Sequence, residues 1–155
     1  MFEAARRIES HVLRLPTTAR EAGVLLKTGF VPMTRPNEAA AALRSVRQWG
    51  IVAGSARMAA HRHPDALGLV DEIGELTFGQ LDKRSNALAR AWRQHDIDET
   101  SVLALLCRDH RGLVESMIAA AKLGARVLLM NTGFAGPQLT AVAEREQVTA
   151  FVYDR

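Results

Sequence analysis

The fold is decided by "SVLALLCRDHRGLVESMIAAAKLGARVLLMNTGFAGPQLTAVAEREQVTAFVY", residues 101–153. Its first seven residues, Ser101–Cys107, form a continuous apolar run that is short for a helix and is flanked by charged turns, the pattern of a strand buried on both faces. "RGLVESMIAAAKLG" then carries helical spacing, with Leu113, Met117, Ala120 and Ala121 predicted inward and Gly124 as the stop. The alternation repeats through "RVLLM" as strand, the loop Asn131–Gly136, "PQLTAVAEREQ" as a helix with Pro137 in its first turn, and "VTAFVY" as strand. This βαβαβ order predicts an α/β fold with a parallel sheet and right-handed crossovers. Asp154 and Arg155 follow the last strand directly, so the unit is expected to be an incomplete part of a larger α/β domain.

Upstream, "ALGLVD" and "ELTF" flank Glu72–Ile73–Gly74, which predicts a β-hairpin with glycine supplying the turn's positive φ. Thr77 and Gln80 have capping-box spacing for the next helix. On that helix Phe78, Leu81, Leu88, Ala91 and Trp92 are predicted inward, with Asp82, Lys83, Arg90 and Arg93 elsewhere. Residues 1–63 read as short helices parted by prolines and glycines. One ends at Pro16, one is capped by Thr18 with Glu21, one runs from Asn37 to Gly50, and one stops before Pro64. The expected organisation is a helical leader, 1–63, followed by the α/β segment, 64–155.

Charge separates the same two parts. The leader holds ten Lys/Arg against four acids, a balance of +6, whereas residues 64–155 hold ten against thirteen, a balance of −3. A basic leader can meet anionic lipid or nucleic acid, or can simply solvate outer helix faces. With few aromatics and no recognition motif, no nucleic-acid partner is expected. The 48% hydrophobic content supports a packed core. Single Cys107 excludes an internal disulfide, and its apolar strand predicts a buried thiol in a reducing, cytoplasmic setting. Arg6, Arg7, His11 and Arg14 interrupt any signal-peptide core, and no run reaches the roughly 20 apolar residues of a membrane span.

Few residues suggest chemistry on their own. The loop Asn131–Gly136 lies between a strand and a helix N-terminus, where anions are favoured, but it lacks a P-loop or dinucleotide fingerprint and reads better as a crossover loop. His61 and His63 have no cysteine or carboxylate at metal-ligand spacing and suit the last carbonyls of a helix. Cys107, Asp109 and His110 could suggest a nucleophile dyad, yet strand and helix separate them, which favours a structural role. Trp92 reads as a core anchor. No residue of the chain is assigned a catalytic, cofactor-binding or metal role.

Taken in order, Val70–Asp71, Leu76–Thr77–Phe78, Leu81, Arg84, Asn86, Ala89, Lys122–Leu123–Gly124–Ala125 and Asn131 resemble the N-terminal portion of AMP-forming acyl-CoA synthetases, within the adenylate-forming ligase superfamily. "CRDHRG" and "NTGFAGPQL" look most like bacterial fatty-acyl-CoA synthetases. The family usually places glycines before the second strand, where this chain has "HDIDETS"; Asp96 and Asp98 tolerate such a turn. The resemblance implies an enzyme that uses ATP and Mg²⁺ to form an acyl-adenylate from a fatty acid and passes the acyl group to CoA. It also implies a Ser/Thr/Gly-rich loop ending in Pro-Lys-Gly, an adenine segment, a Mg²⁺-binding glutamate and a C-terminal domain with a catalytic lysine. None of these is in the 155 residues. The chain alone is therefore expected to be inactive and to bind none of ATP, Mg²⁺ or CoA tightly. The alternative is a non-catalytic module, with the leader peripheral to a membrane or the open sheet edge pairing with a partner or with itself.

Overall fold

The computed structural model describes residues 36–154. The chain divides into two compact units, Met1–Ala41 and Ala42–Arg155, and the account below concerns the second. The helices expected before Pro16 and after Thr18 lie outside the described residues. Helix α1 spans Pro36–Arg62 and is broken at Gly50, whose φ of 72° is open to glycine at little cost. The sequence expectation of two helices parted at Gly50 therefore holds. The two pieces meet at Gly54, where an added Cβ would lie 2.8 Å from the Val46 Cα and 2.9 Å from the Ser45 carbonyl oxygen. Gly54→Ala should therefore lower the melting temperature, because a backbone clash outweighs the gain in helix propensity of about 1 kcal/mol. An unchanged or raised melting temperature would show that the pieces do not cross there.

Strands β1 (Leu67–Asp71) and β2 (Gly74–Thr77) pair antiparallel around Glu72 and Ile73, with Gly74 (φ 127°) opposite Asp71 in the ladder rather than in the turn. The Ile73 amide is held by the Asp71 carboxylate at 3.0 Å, which closes so short a turn. Helix α2 (Phe78–Arg93) starts at the expected capping box: the Gln80 amide donates to Thr77 Oγ1 at 3.2 Å, and the Thr77 amide donates to Gln80 Oε1 at 2.8 Å. Phe78 is thus the first helical residue. The buried stripe of α2 is Leu81, Ser85 and Ala89, and Ala91, expected inward, is exposed. Steps of four from Leu81 follow the helix seam, and Ala91 falls outside it.

Strands β3 (Val102–Leu106), β4 (Arg126–Leu129) and β5 (Ala150–Tyr153) form a parallel sheet in the order β4-β3-β5. The central strand is buried from Val102 to Leu105, as its unbroken apolar run predicts. Helix α3 (Arg111–Leu123) links β3 to β4 and ends at Gly124 in the left-handed conformation. Ala119 and Ala120 are wholly enclosed in a core with Leu103, Leu105, Leu123 and Ala89, and Trp92 packs against it as expected. Glu115, Ser116 and Ile118 are buried while Leu113, Met117 and Ala121 are only half-buried, so the inward arc is broader than the apolar stripe. The reason is that α3 is packed between the sheet and α2. Helix α4 (Gly136–Glu146) links β4 to β5 and buries no residue.

Candidate functional site

The chain leaves β3 for β4 on one side and then returns past β3 to β5 on the other, so the strand order reverses between β3 and β5. In open parallel sheets the crevice beyond the strand ends at such a reversal is where ligands bind. Three segments reach this edge: 107–110 after β3, 130–135 after β4, and Asp154 after β5.

Asp154 organises the crevice. Its Oδ2 accepts from the Arg108 amide at 2.8 Å and from Arg108 Nε at 3.4 Å, and its Oδ1 lies 2.6 Å from His110 Nε2. The Arg108 amide, followed by the His110 ring, holds the Asp154 carboxyl below its usual range. The Gly112 amide donates to His110 Nδ1 at 2.9 Å, so His110 is the N-cap of α3 and presents its Nε2–H to Asp154. Cys107 is half-buried rather than buried; its Sγ donates to the Val152 carbonyl at 3.5 Å, and burial, then the Asp154 charge, push its thiol up. Both His110 nitrogens are thus engaged away from the sulfur, and Cys107 is held as a thiol. The three residues brought together at this edge are Cys107, His110 and Asp154, whereas Asp109 is exposed.

The loop after β4 is internally satisfied. Asn131 Oδ1 accepts from the Gly133 amide at 2.8 Å, the Asn131 carbonyl accepts from the Phe134 amide at 3.1 Å, and Gln138 Oε1 accepts from the Ala135 amide at 3.1 Å. Three donors that a phosphate would need are already committed. Two carboxylates near this end are committed too, Asp154 to Arg108 and His110 and Asp71 to Arg111, whereas Asp109 stands exposed. These three amides and two carboxylates therefore do not fit an ATP–Mg²⁺ site. His61 and His63 are exposed at the end of α1, and no group of three or more His, Cys, Asp or Glu among the described residues is placed to hold a metal ion.

Two further constellations escaped the sequence reading. Arg111, the first residue of α3, forks onto Asp71 of the hairpin (Nε to Oδ2 2.8 Å, an NH2 nitrogen to Oδ1 2.6 Å), donates to the Gly74 carbonyl at 3.1 Å, and gives its amide to Asp71 Oδ2 at 3.0 Å. Hydrogen bonds from the Arg111 side chain hold the Asp71 carboxyl well below the usual carboxylate range. Lys122 of α3 reaches under α2 to Asp82 Oδ1, Ser85 Oγ and Asn86 Oδ1, each at 2.8 Å. Arg111 is 40 positions from Asp71, and Lys122 is 40 from Asp82, so no local spacing marks either set.

This fold, a hairpin and capped helix leading into strand–helix units whose C-terminal edge forms the crevice, defines the start of an adenylate-forming domain. The profile of the AMP-binding enzyme family matches residues 56–155, and the chain belongs to that family. Over 92 residues it is 26% identical to a medium/long-chain-fatty-acid–CoA/3-oxocholest-4-en-26-oate–CoA ligase of Mycolicibacterium smegmatis, covering 59% of this chain and 17% of that one. Over 75 residues it is 36% identical to the phosphinothricin tripeptide synthetase PhsB of Streptomyces viridochromogenes, covering 48% of this chain and 6% of that one. Among solved structures, a Mycobacterium tuberculosis fatty acyl CoA synthetase superposes with a TM-score of 0.65 at 21% identity, over 70% of this chain and 22% of that one. The Klebsiella oxytoca NpsA N-terminal subdomain superposes with a TM-score of 0.63 at 19% identity, over 66% of this chain and 27% of that one. The chain thus spans well under a third of the length of each of these relatives.

Proposed function

We propose that this chain is the opening part of an AMP-forming acyl-CoA ligase that activates a fatty acid as its acyl-adenylate and transfers it to CoA. Residues 1–63 are its leader and residues 64–155 the start of its adenylate-forming domain. The observation that supports this reading is the ordered correspondence of hairpin, capped helix and two strand–helix units with the family over residues 56–155. The same reading makes the 155 residues inactive alone, because the phosphate-holding loop, the Mg²⁺-binding glutamate and the catalytic lysine that the resemblance implies are not among them. The test is pyrophosphate release with ATP, Mg²⁺ and a fatty acid, run on the 155-residue chain and on the product of the longest reading frame that contains it. Release by the longer product alone is expected. Release by the 155 residues would overturn their inactivity, and a longer product that ignores fatty acids but activates an amino acid would overturn the acyl-CoA assignment.

A second reading, association through the sheet, is favoured by its outer strands. Among the described residues β4 and β5 each pair on one side only, and Leu129 and Tyr153 are 58% and 66% exposed there. Sedimentation of the chain should then show dimers or larger species at micromolar concentration, and a strictly monomeric boundary would count against it.

A further inference from the structure

A cavity of about 220 Å³ opens between α1 and the C-terminal turns of α2 and α3. Since α3 begins at the C-terminal edge of the sheet and ends at Gly124, leading into β4, this cavity lies at the other end of the sheet from the crevice described above. Its buried lining is mostly apolar, from Ala53, Ala89 and Leu123 with Trp49 beside them, and also holds the Lys122 ammonium and the half-buried Asn86. Its exposed lining is cationic: Arg57, Arg90 and Arg93. Among the described residues no Asp or Glu lines it, and the one ammonium there, Lys122, is already paired with Asp82.

Arg84, Arg108, Arg111 and Arg126 each meet a carboxylate, whereas Arg57 and Arg90 meet none among the described residues. Arg90 and Arg93 stand in the last turn of α2, where cations offset the partial charge of the carbonyls. Arg57 has no such reason. It belongs to α1, before that helix's last turn, and lies 5.6 Å from the centroid of the Trp49 ring. Guanidinium groups from two separate helices thus face one apolar hollow, which complements an anion carrying a short apolar tail.

We propose that this cavity binds a short-chain carboxylate, its tail against Ala53, Ala89 and Leu123 and its carboxylate between Arg57 and Arg90. The volume holds roughly seven water-sized groups, which suits a tail of about five carbons. This site is independent of the adenylating reaction and of the reading that assigns it.

The probe is hexanoate, titrated into the 155-residue chain while the indole N–H resonances are followed. The chain has two tryptophans, and Trp49→Phe assigns the signal at the cavity. Hexanoate should move the Trp49 resonance saturably, while hexanol and inorganic phosphate at the same concentration leave it in place. Arg57→Gln with Arg90→Gln should weaken binding about tenfold or more, and the Lys pair at the same positions should retain part of it. Melting curves establish that each variant is folded. An unmoved Trp49, an equal response to hexanol, an equal response to phosphate, or full binding by the folded Gln pair would each overturn the proposal.

Discussion

Replacing Lys122 with methionine is expected to lower stability by about 3 kcal/mol, the scale for removing one partner of a buried, hydrogen-bonded ion pair. The lysine side chain is 7% exposed, and its three N–H donors meet a carboxylate, a hydroxyl and an amide oxygen, all on α2. These acceptors form a closed set: Ser85 donates onward to the Leu81 carbonyl at 2.7 Å, and Asn86 donates to Asp82 Oδ2 at 2.9 Å. Methionine fills the space of the stem and leaves the oxygens facing one another without a cation. Thermal melts should show the loss as a fall of roughly 10 °C. Asn86→Ala, which removes one acceptor and leaves the charge pair intact, should cost much less. Equal melting of Lys122→Met and the parent chain would mean that α2 and α3 are held without the Lys122 cluster, by apolar packing and the Arg84–Glu115 pair.

The second large effect is expected at Arg111. Arg111→Ala strips Asp71 of its guanidinium and leaves only the residue 111 amide to hold that carboxylate to α3, so the melting temperature should fall by roughly 10 °C. The amides of Leu69 and Leu76, the next hydrogen-bonded pair of the hairpin beyond Asp71 and Gly74, should lose hydrogen-exchange protection before those of β3. Acid should reproduce part of this. The Asp71 carboxyl is depressed in the folded chain, so its contribution is present above the ordinary carboxylate value of about 3.9 and is lost as pH falls from there through the folded value. Between about pH 4 and pH 2 the parent chain should therefore lose melting temperature more steeply than Asp71→Asn, which has nothing to titrate there. Parallel pH profiles for the two would remove Asp71 from the acid response.

Much of the architecture was legible because it is written locally. The unbroken run Val102–Leu106 gave the central strand, Thr77 and Gln80 marked the start of α2, and Gly50 and Gly124 marked helix ends. Asp96, in the turn where the family usually has glycine, adopts φ 59°, a conformation that aspartate tolerates better than most residues. The inward face of α2 was legible only in part, since an apolar count selects Ala91 where the seam takes Ser85, a small residue whose hydroxyl is satisfied by its own helix. The polar links were not legible at all. Asp71 with Arg111, Glu115 with Arg84, and Lys122 with Asp82 each join residues at least 31 positions apart, and a solvated charge looks the same in sequence as a buried one.

The placement of β3 between two strands that both follow it also sets a timetable. During synthesis β3 is made before either neighbour, and the bonds between Val102 and Thr149 that align β5 join residues 47 positions apart. At ordinary elongation rates the ribosome needs roughly 2–10 s to cross that distance. For that interval the most apolar strand of the fold waits with at least one unpaired edge, and α3, complete well before β5, is the element available to shelter it.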